Sequence, residues 1–269
     1  MTEFDNEKPK KIFKPVPLLD GIEEIRQDFE ERIAQGDVVY GIEILDDCVE
    51  TIRKGSITFI IARANTGKSA WSQVIALNLA KQGKKVLICS CEMGAGLLME
   101  RQLRRMTGIS TKQLRELYEK SRDKANYVLD SVFDSRFDYL HNVDICETGG
   151  ATVDDIVSML NCFPEYHYIV IDYIQRVRGQ GKEYEVITNA ARELQTYARQ
   201  TGKAMIICSQ ANRASEGDAK KDTMAIRGKG SGSIEEDADV GLSLMEEYEG
   251  DRKYILATLF KNRYGALKN

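Results

Sequence analysis

The segment from Ser56 to Ser69 constrains the fold of this chain more than any other. An apolar run, Ser56–Ile61, leads directly into Ala62-Arg63-Ala64-Asn65-Thr66-Gly67-Lys68-Ser69, and helical periodicity begins at Ser69. A buried strand that turns into a helix through Gly-Lys-Ser is typical of a loop whose backbone N–H groups wrap nucleotide phosphates. The usual first glycine of that pattern is replaced here by Ala62. A chance Gly-Lys-Ser in a surface loop is the alternative, and the flanking strand and helix patterns argue against it.

The chemistry of such a loop assigns a task to each residue type. The helix N-terminus carries partial positive charge, and Gly67 lets the backbone approach a phosphate without a Cβ in the way. Lys68 can reach the β- and γ-phosphates, and the Ser69 hydroxyl can hold Mg²⁺. The residues expected to contact the nucleotide are Ala64, Asn65, Thr66, Gly67, Lys68, Ser69 and Ala70.

Composition narrows the class of protein. The chain has 269 residues, 42% of them apolar, and only 4 prolines, which indicates continuous folded structure in one large or two small domains. A net charge of −4 means that any nucleic-acid contact must come from a local basic patch. No apolar stretch is long enough to span a bilayer and the first residues carry no signal-peptide pattern, so we expect a cytoplasmic protein with no membrane partner. The 6 cysteines are scattered without a CxxC pair, which argues against zinc and favours reduced, buried thiols.

The first 37 residues differ from the rest. Residues 1–17 have the composition of a flexible tail. Asp20 is placed to cap a helix, with Glu23 completing a capping box, and Gly36 is placed to end it. Apolar residues at helical spacing (Ile22, Ile25, Phe29 and Ile33) predict a narrow stripe that packs on its own domain or on a neighbouring subunit.

From Val38 onward, apolar strand patterns alternate with helical ones. The predicted strands are Ser56–Ile61, Lys85–Cys91, Val143–Cys146, Tyr168–Asp172, Ala204–Ser209, Val240–Met245 and Lys253–Lys261. The predicted helices are Ser69–Gln82, Leu97–Met106, Thr111–Phe133 in one piece or two, Val153–Phe163 and Glu185–Thr201. This alternation predicts an α/β fold with a mostly parallel twisted sheet, helices on both faces and a C-terminal β-hairpin.

Polar side chains at the ends of predicted strands form a candidate catalytic set. Asp172 is placed to hold Mg²⁺, Glu92 to polarise an attacking water, and Gln210 to sense the γ-phosphate. Lys261 and Arg263 follow the last strand and could neutralise charge on a transferring phosphoryl group, a task often performed by a neighbouring subunit. The alternatives are ordinary: a turn-capping Asp, a solvated Glu, turn chemistry at Gln210 and a polar C-terminal fringe.

A long polar segment, Gln210–Ser233, interrupts the alternation. It carries several basic residues and four glycines, against three acidic residues. Loops of this length without structure of their own are usually functional or disordered, and we interpret this one as functional and mobile.

Taken together, these segments resemble the C-terminal ATPase domain of DnaB-type replicative helicases, which has a RecA-like fold, over roughly Val39–Gly265. The family's phosphate loop also begins with Ala-Arg. The other segments that carry the resemblance are Cys89–Met93, Ile169–Gln175, Ser209–Arg213, Gly230–Val240 and Lys261–Arg263.

The resemblance implies a Mg²⁺-dependent ATPase that moves 5′–3′ on single-stranded DNA as a homo-oligomeric ring, usually of six subunits, with nucleotide bound between subunits. By this resemblance Glu92 is the catalytic base, and Lys261 and Arg263 act in trans. Arg227, Lys229 and Gly232 match the family's DNA-gripping loop, with Lys229 where the family has Arg. Residues 18–37 match the linker helix that docks on the next subunit, and residues 38–269 match the motor domain.

Two departures from the family pattern bear on the interpretation. The primase-binding N-terminal helical domain has no counterpart here, and the sequence stops soon after Arg263. A short phage-encoded version or a trimmed motor domain would fit, with a primase or loader as a further partner. The alternatives are a RecA- or RadA-like recombination ATPase that forms filaments, and a helicase-loading module that uses nucleotide as a switch.

Overall fold

A computed structural model gives the fold of this chain and describes residues 17–131, 134–211, 234 and 236–265. The chain divides into two compact units, Met1–Asp37 and Val38–Asn269. None of the described helices is long and apolar enough to cross a membrane.

The first unit contains a single α-helix, α1 (Gly21–Gln35), in its described part. The predicted capping box at Asp20 is wrong: Asp20 has helical backbone angles (φ −65°, ψ −23°) and its side chain caps nothing. The reason is that a 3-10 turn, Leu18–Asp20, starts the coil earlier than the polar pattern indicates. Gly36 ends α1 at φ 75°, as predicted. The four apolar residues of the α1 stripe are each more than half exposed: Ile22, Ile25, Phe29 and Ile33.

The second unit is built on a seven-stranded sheet with the order β3-β2-β4-β5-β1-β6-β7. The strands are β1 (Ile57–Ala62), β2 (Val86–Ser90), β3 (Val143–Glu147), β4 (Tyr168–Asp172), β5 (Ala204–Gln210), β6 (Val240–Glu249) and β7 (Arg252–Asn262). All neighbouring strands pair in parallel except β6 and β7, which form the predicted antiparallel hairpin. Each predicted strand is present, with ends displaced by a few residues.

Helices and short coils connect these strands. The helices are α2 (Glu43–Val49), α3 (Lys68–Lys81), α4 (Ala95–Thr107), α5 (Thr111–Lys120), α6 (Arg122–Asp130), α7 (Val153–Cys162) and α8 (Glu183–Thr201). The pattern over Thr111–Phe133 therefore forms two helices, because the Ser121 side chain accepts a hydrogen bond from the Lys124 N–H and starts α6. Helix α2 was not predicted, and its short length gives too few turns for a periodic signal.

The core lies on both faces of the sheet. Alternate residues of β1 pack on opposite faces of the sheet. Ile57, Phe59 and Ile61 pack in the hydrophobic cluster that contains α7 and α8. Ile60 and Ala62 pack in the cluster that contains α2 and α3. This period of two follows from the pleat of a strand. Two buried faces confirm the predicted arrangement of helices on both sides.

The thiols only partly match the prediction. All 6 cysteines lie in the described part of the chain and are free, and Cys89, Cys91 and Cys208 are buried. Cys162, however, is exposed at the last position of α7, and Cys48 and Cys146 are half-buried.

Strand direction decides which candidate residues can meet. The carboxyl ends of β2, β4, β5 and β1 are adjacent, with Ser90 paired to Asp172 and Ala62 paired to Gln210. Strand β7 runs the other way, and Asn262 pairs with Val240 at the amino end of β6. The sequence prediction placed the basic pair at a strand's carboxyl end, which is correct along the chain. In space, however, the carboxyl end of β7 lies beside the amino ends of the parallel strands, opposite to the boundary of the sheet where their carboxyl ends lie.

Candidate active site

The loop between β1 and α3 has the backbone conformation that a phosphate-binding loop needs. Gly67 precedes α3 in a left-handed conformation (φ 103°, ψ 18°), and Asn65 is also left-handed at φ 63°. A Cβ built at Gly67 would meet no atom of the chain within 4 Å, so with respect to the chain itself glycine is needed for its backbone angles. The loop thus places the first N–H groups of α3 at the carboxyl edge of the sheet.

Lys68 lies folded over the end of β1. Its Nζ donates hydrogen bonds to the Ala62 carbonyl (3.1 Å) and the Arg63 carbonyl (2.9 Å), and it lies 6.0 Å from the centre of the Tyr173 ring. The residue is only 8% exposed. Burial lowers the pKa of this ammonium, while nearby acidic groups, including Asp172 and Glu92, act in the other direction. The positive charge is therefore held against the two backbone carbonyls at the carboxyl end of β1.

Ser69 and Asp172 come together from α3 and β4. Burial raises the pKa of the Asp172 carboxyl overall, and the neighbouring Ser69 hydroxyl acts in the opposite direction. Asp172 is 4% exposed, and its Oδ1 has no hydrogen-bond partner among the described residues.

A hydroxyl and an unpartnered carboxylate oxygen suit Mg²⁺, which prefers oxygen ligands and takes several of them from phosphates and water. The part of the chain described by the structure contains no cluster of three or more His, Cys, Asp or Glu side chains that could hold a metal. Ser69 and Asp172 by themselves offer a Mg²⁺ ion two kinds of oxygen ligand, a hydroxyl and a carboxylate.

Glu92 lies in the bend after β2 and is held by an ion pair that the sequence does not indicate. Its Oε1 accepts a hydrogen bond from Arg176 Nη2 at 2.8 Å, and both side chains are about half exposed, 48% and 51%. Arg176 also lies over the Tyr173 ring at 5.6 Å. Glu92 raises the pKa of Arg176. In this state the predicted base is turned toward a cation of its own chain.

Gln210 ends β5 and is positioned by Gln175, a residue whose role the sequence did not reveal. Gln175 Nε2 donates to Ser209 Oγ (2.9 Å) and to the Gln210 carbonyl (3.2 Å), while Gln175 Oε1 accepts from the Gln210 N–H (3.0 Å). One amide therefore ties the turn after the Asp172 strand to the end of the Gln210 strand. The only signal in the sequence is an amide three residues beyond Asp172.

Lys261 and Arg263 lie at the other edge of the sheet. Lys261 Nζ donates to the Glu236 carbonyl at 2.8 Å, and Arg263 Nη1 donates to Asp239 Oδ1 at 2.6 Å. Burial lowers the pKa of Lys261, and the positive charge of Arg263 lowers it further. Arg227, Lys229 and Gly232, the predicted DNA contacts, lie outside the described residues.

Comparison with known proteins shows which family this chain resembles. The sequence pattern of the DnaB-like helicase C terminal domain matches residues 38–269. A probable plasmid replicative DNA helicase of Chlamydia trachomatis serovar L2 is 29% identical over 236 residues, which is 84% of this chain and 50% of the relative. Replicative DNA helicase DnaC of Bacillus subtilis is 30% identical over 210 residues, covering 74% of this chain and 45% of that protein. The chain thus spans about half the length of these relatives.

Solved structures support the same fold. A structure described as an ATPase domain has a TM-score of 0.76 at 21% identity and covers 95% of this chain and 94% of its own. A DnaB-like replicative helicase, solved to show its interactions with primase, has a TM-score of 0.75 at 20% identity, covering 95% of this chain and 64% of its own. Both neighbours share the RecA-like α/β architecture predicted from the sequence. Because the family pattern spans the whole second unit, residues 38–269, the chain belongs to the DnaB-like helicase C-terminal domain family.

Proposed function

We propose that this chain is the motor of a DNA helicase: a Mg²⁺-dependent ATPase that moves along single-stranded DNA as a ring of identical subunits. The observation that carries the proposal is the meeting of Lys68, Ser69, Asp172 and Glu92 at one edge of the sheet, on three segments that are separate in sequence. Such a set suits phosphoryl transfer, in which positioning and electrostatics supply most of the catalysis.

Binding requires a change at Lys68. Its ammonium exchanges the Ala62 and Arg63 carbonyls for phosphate oxygens, and the amides of Ala64–Ala70 surround the phosphates. Ser69 and Asp172 would hold Mg²⁺, which neutralises phosphate charge and orients the reacting phosphoryl group. Gln210 ends β5, the strand next to β1, and so lies with the carboxyl ends of the parallel strands. Its amide can respond there to the γ-phosphate.

Glu92 supplies the proton acceptor for water. The ion pair with Arg176 engages one oxygen of this carboxylate and draws its negative charge toward the guanidinium, so opening or turning the pair would make Glu92 a better acceptor for the proton of the attacking water. An exposed ion pair contributes only about 0.2–1 kcal/mol, so this opening is easily driven by ligand binding.

Lys261 and Arg263 cannot reach their own chain's nucleotide. Strand β1 has 6 residues, which span about 20 Å between the two edges of the sheet. We therefore propose that the pair acts on the nucleotide of the adjacent subunit, which makes the assembled ring the active species. A hexamer is the ring size that the family resemblance implies.

The remaining contacts follow from the same resemblance. We propose that Arg227, Lys229 and Gly232 hold the DNA backbone, where positive charge and N–H groups suffice for phosphate contact. We also propose that α1, in residues 18–37, docks its apolar stripe on a neighbouring subunit, that residues 38–269 form the motor, and that residues 1–17 form a tail. One of the structural neighbours was solved with reference to primase, and a primase or loader is a fitting partner here too.

Hydrolysis of ATP with and without single-stranded DNA tests the proposal. Lys68→Ala should abolish turnover, whereas Lys81→Ala, on the exposed last turn of the same helix, should not. Glu92→Gln and Arg263→Ala should each be inactive alone, and mixing them should restore part of the rate if sites are shared between subunits. Turnover that persists in Lys68→Ala would refute the assignment of the phosphate loop.

Two alternatives remain as outcomes of further measurements. Filaments whose length follows the DNA, instead of closed rings in electron micrographs, would indicate a recombination-type ATPase. Nucleotide binding without DNA-stimulated hydrolysis would indicate a loading switch. Glu92 favours hydrolysis, because a switch does not require a carboxylate that activates water.

A further inference from the structure

A buried carboxylate, Asp239, lies between two arginines just before β6. Its side chain is 3% exposed, and its Oδ2 accepts a hydrogen bond from the Ile57 N–H at 2.9 Å. Its Oδ1 faces Arg263 Nη1 at 2.6 Å and Arg199 Nη2, at the end of α8, at 3.7 Å. Both arginines are about half exposed, 44% for Arg263 and 50% for Arg199. Arg263 is thus hydrogen-bonded to the carboxylate, and Arg199 lies beside it at a longer distance.

This arrangement bears on how Arg263 could leave. If Arg263 turns to the phosphates of an adjacent subunit, Asp239 loses its bonded counter-ion in a buried position, where an uncompensated charge is strongly unfavourable. The distance of 3.7 Å from Arg199 is within ion-pair range but longer than a hydrogen bond, so a small rotation would close it. The second arginine can therefore replace the first without leaving the carboxylate unpaired.

We propose that Arg199 is a positioning residue that takes over Asp239 when Arg263 moves to the neighbouring subunit's nucleotide. The inference rests on the proposed role of Arg263 at the adjacent subunit's nucleotide. It adds the contact that lowers the free-energy cost of separating Arg263 from Asp239. Arg199 itself touches no nucleotide. In the resting chain Asp239 holds Arg263 near the edge from which it acts, and in the engaged state Asp239 holds Arg199 instead.

Other charged or titratable groups around Asp239 are already engaged. Lys261 donates its hydrogen bond to the Glu236 carbonyl, and the Arg53 guanidinium lies over the Tyr264 ring at 4.6 Å. Burial of Tyr264, together with the negative charge of Asp239, raises the pKa of this phenol to about 12, so it stays neutral near physiological pH. The Arg199 guanidinium, in contrast, faces Asp239 Oδ1 at 3.7 Å without a hydrogen bond to it.

Unfolding in urea tests the counter-ion exchange without any nucleotide. Arg199→Ala and Arg263→Ala should each raise the unfolding equilibrium constant only modestly, because the other arginine remains beside Asp239. The double variant should raise this constant at least about tenfold more than the product of the two single effects, as expected when a buried carboxylate loses its last cationic partner. Failure of the double variant to fold, when both single variants fold, is the same result in a stronger form.

A matched control is available on the same helix. Arg192 lies two turns before Arg199 on α8 and contacts Asp237 at 3.8 Å, with a similar exposure of 59%. The Arg192→Ala and Arg263→Ala changes should combine without coupling. Additive behaviour of Arg199 with Arg263 would overturn the proposal, as would equal coupling in the control pair.

Hydrolysis by the assembled protein completes the test. Arg199→Ala should lower kcat by about threefold to tenfold with an unchanged KM for ATP, because Arg263 is then held as the sole counter-ion of Asp239; Arg199→Lys should recover part of the loss. A wild-type rate in Arg199→Ala, when Arg263→Ala is impaired, would refute the exchange. A wild-type rate in Arg263→Ala would instead refute the trans role itself, and the urea measurements would still report on the counter-ion.

Discussion

Asp172 should limit the stability of the nucleotide-free chain. Its carboxylate is 4% exposed, and Oδ1 has no hydrogen-bond partner among the described residues. Burial raises its pKa above the value in the unfolded chain, even though Ser69 and Lys68 act in the opposite direction. The folded chain therefore binds this proton more tightly than the unfolded chain does. The stability contributed by Asp172 is greatest at acidic pH and is lost as the pH rises through the folded-state pKa.

Asp172→Asn replaces the carboxylate with a neutral group of the same shape and should stabilise the chain at neutral pH. A buried ionised group with an unsatisfied oxygen lowers the free energy of unfolding by about 1–3 kcal/mol or more. The asparagine amide is also unpaired, so the substitution recovers only part of that free energy. We therefore expect a gain of about 1 kcal/mol, or about 2–4 °C in Tm for a chain of this size. Asp239→Asn is the matched control and should destabilise, because the Asp239 carboxylate bonds to Arg263 and to the Ile57 N–H.

Thermal unfolding in the presence of a chelator, at several pH values, measures the effect. The difference between Asp172→Asn and wild type should vanish in acid and grow as the pH rises through the pKa of Asp172. Added Mg²⁺ and ATP should then stabilise the wild type by mass action and the variant far less. A variant that is less stable than wild type at neutral pH, or a difference that does not depend on pH, would refute the reasoning.

Three further predictions concern residues around the site. Gln175→Ala should destabilise the chain by about 1–3 kcal/mol in urea, because one amide makes three hydrogen bonds to the end of β5; an unchanged midpoint would show that water replaces them. Arg176→Ala should raise hydrolysis without DNA by about two- to fivefold, the equivalent of an exposed ion pair, whereas Arg178→Ala, also exposed in the same loop, should not; a fall in rate would contradict this. Gly241→Ala should cost about 1–3 kcal/mol because its Cβ would collide with the Phe260 ring, while Gly96→Ala, with open space around it, should be neutral or stabilising.

Much of the fold could be predicted because its signals are local. A buried strand is a short apolar run and a surface helix is a stripe of period 3.6, and both are written in consecutive residues. The seven strands, the break in the parallel order at the C-terminal hairpin and the phosphate loop were therefore accessible from the sequence. Helix α2 and the 3-10 turn at Leu18–Asp20 were not, since elements of one or two turns carry too little periodicity to read.

The sequence by itself determined which residues stand at strand ends: Lys68 and Ser69 after β1, Glu92 after β2, Asp172 at the end of β4. It could do so because a strand and the turn that follows it are contiguous in the chain. Only the tertiary structure decided which of these ends share an edge, because strand order and direction depend on contacts between distant segments. The antiparallel course of β7 placed Arg263 about one strand length from the phosphate loop, beside Asp239 and Arg199. The partners of Glu92 and Gln210 were decided in the same way, by side chains that meet only once the sheet has formed.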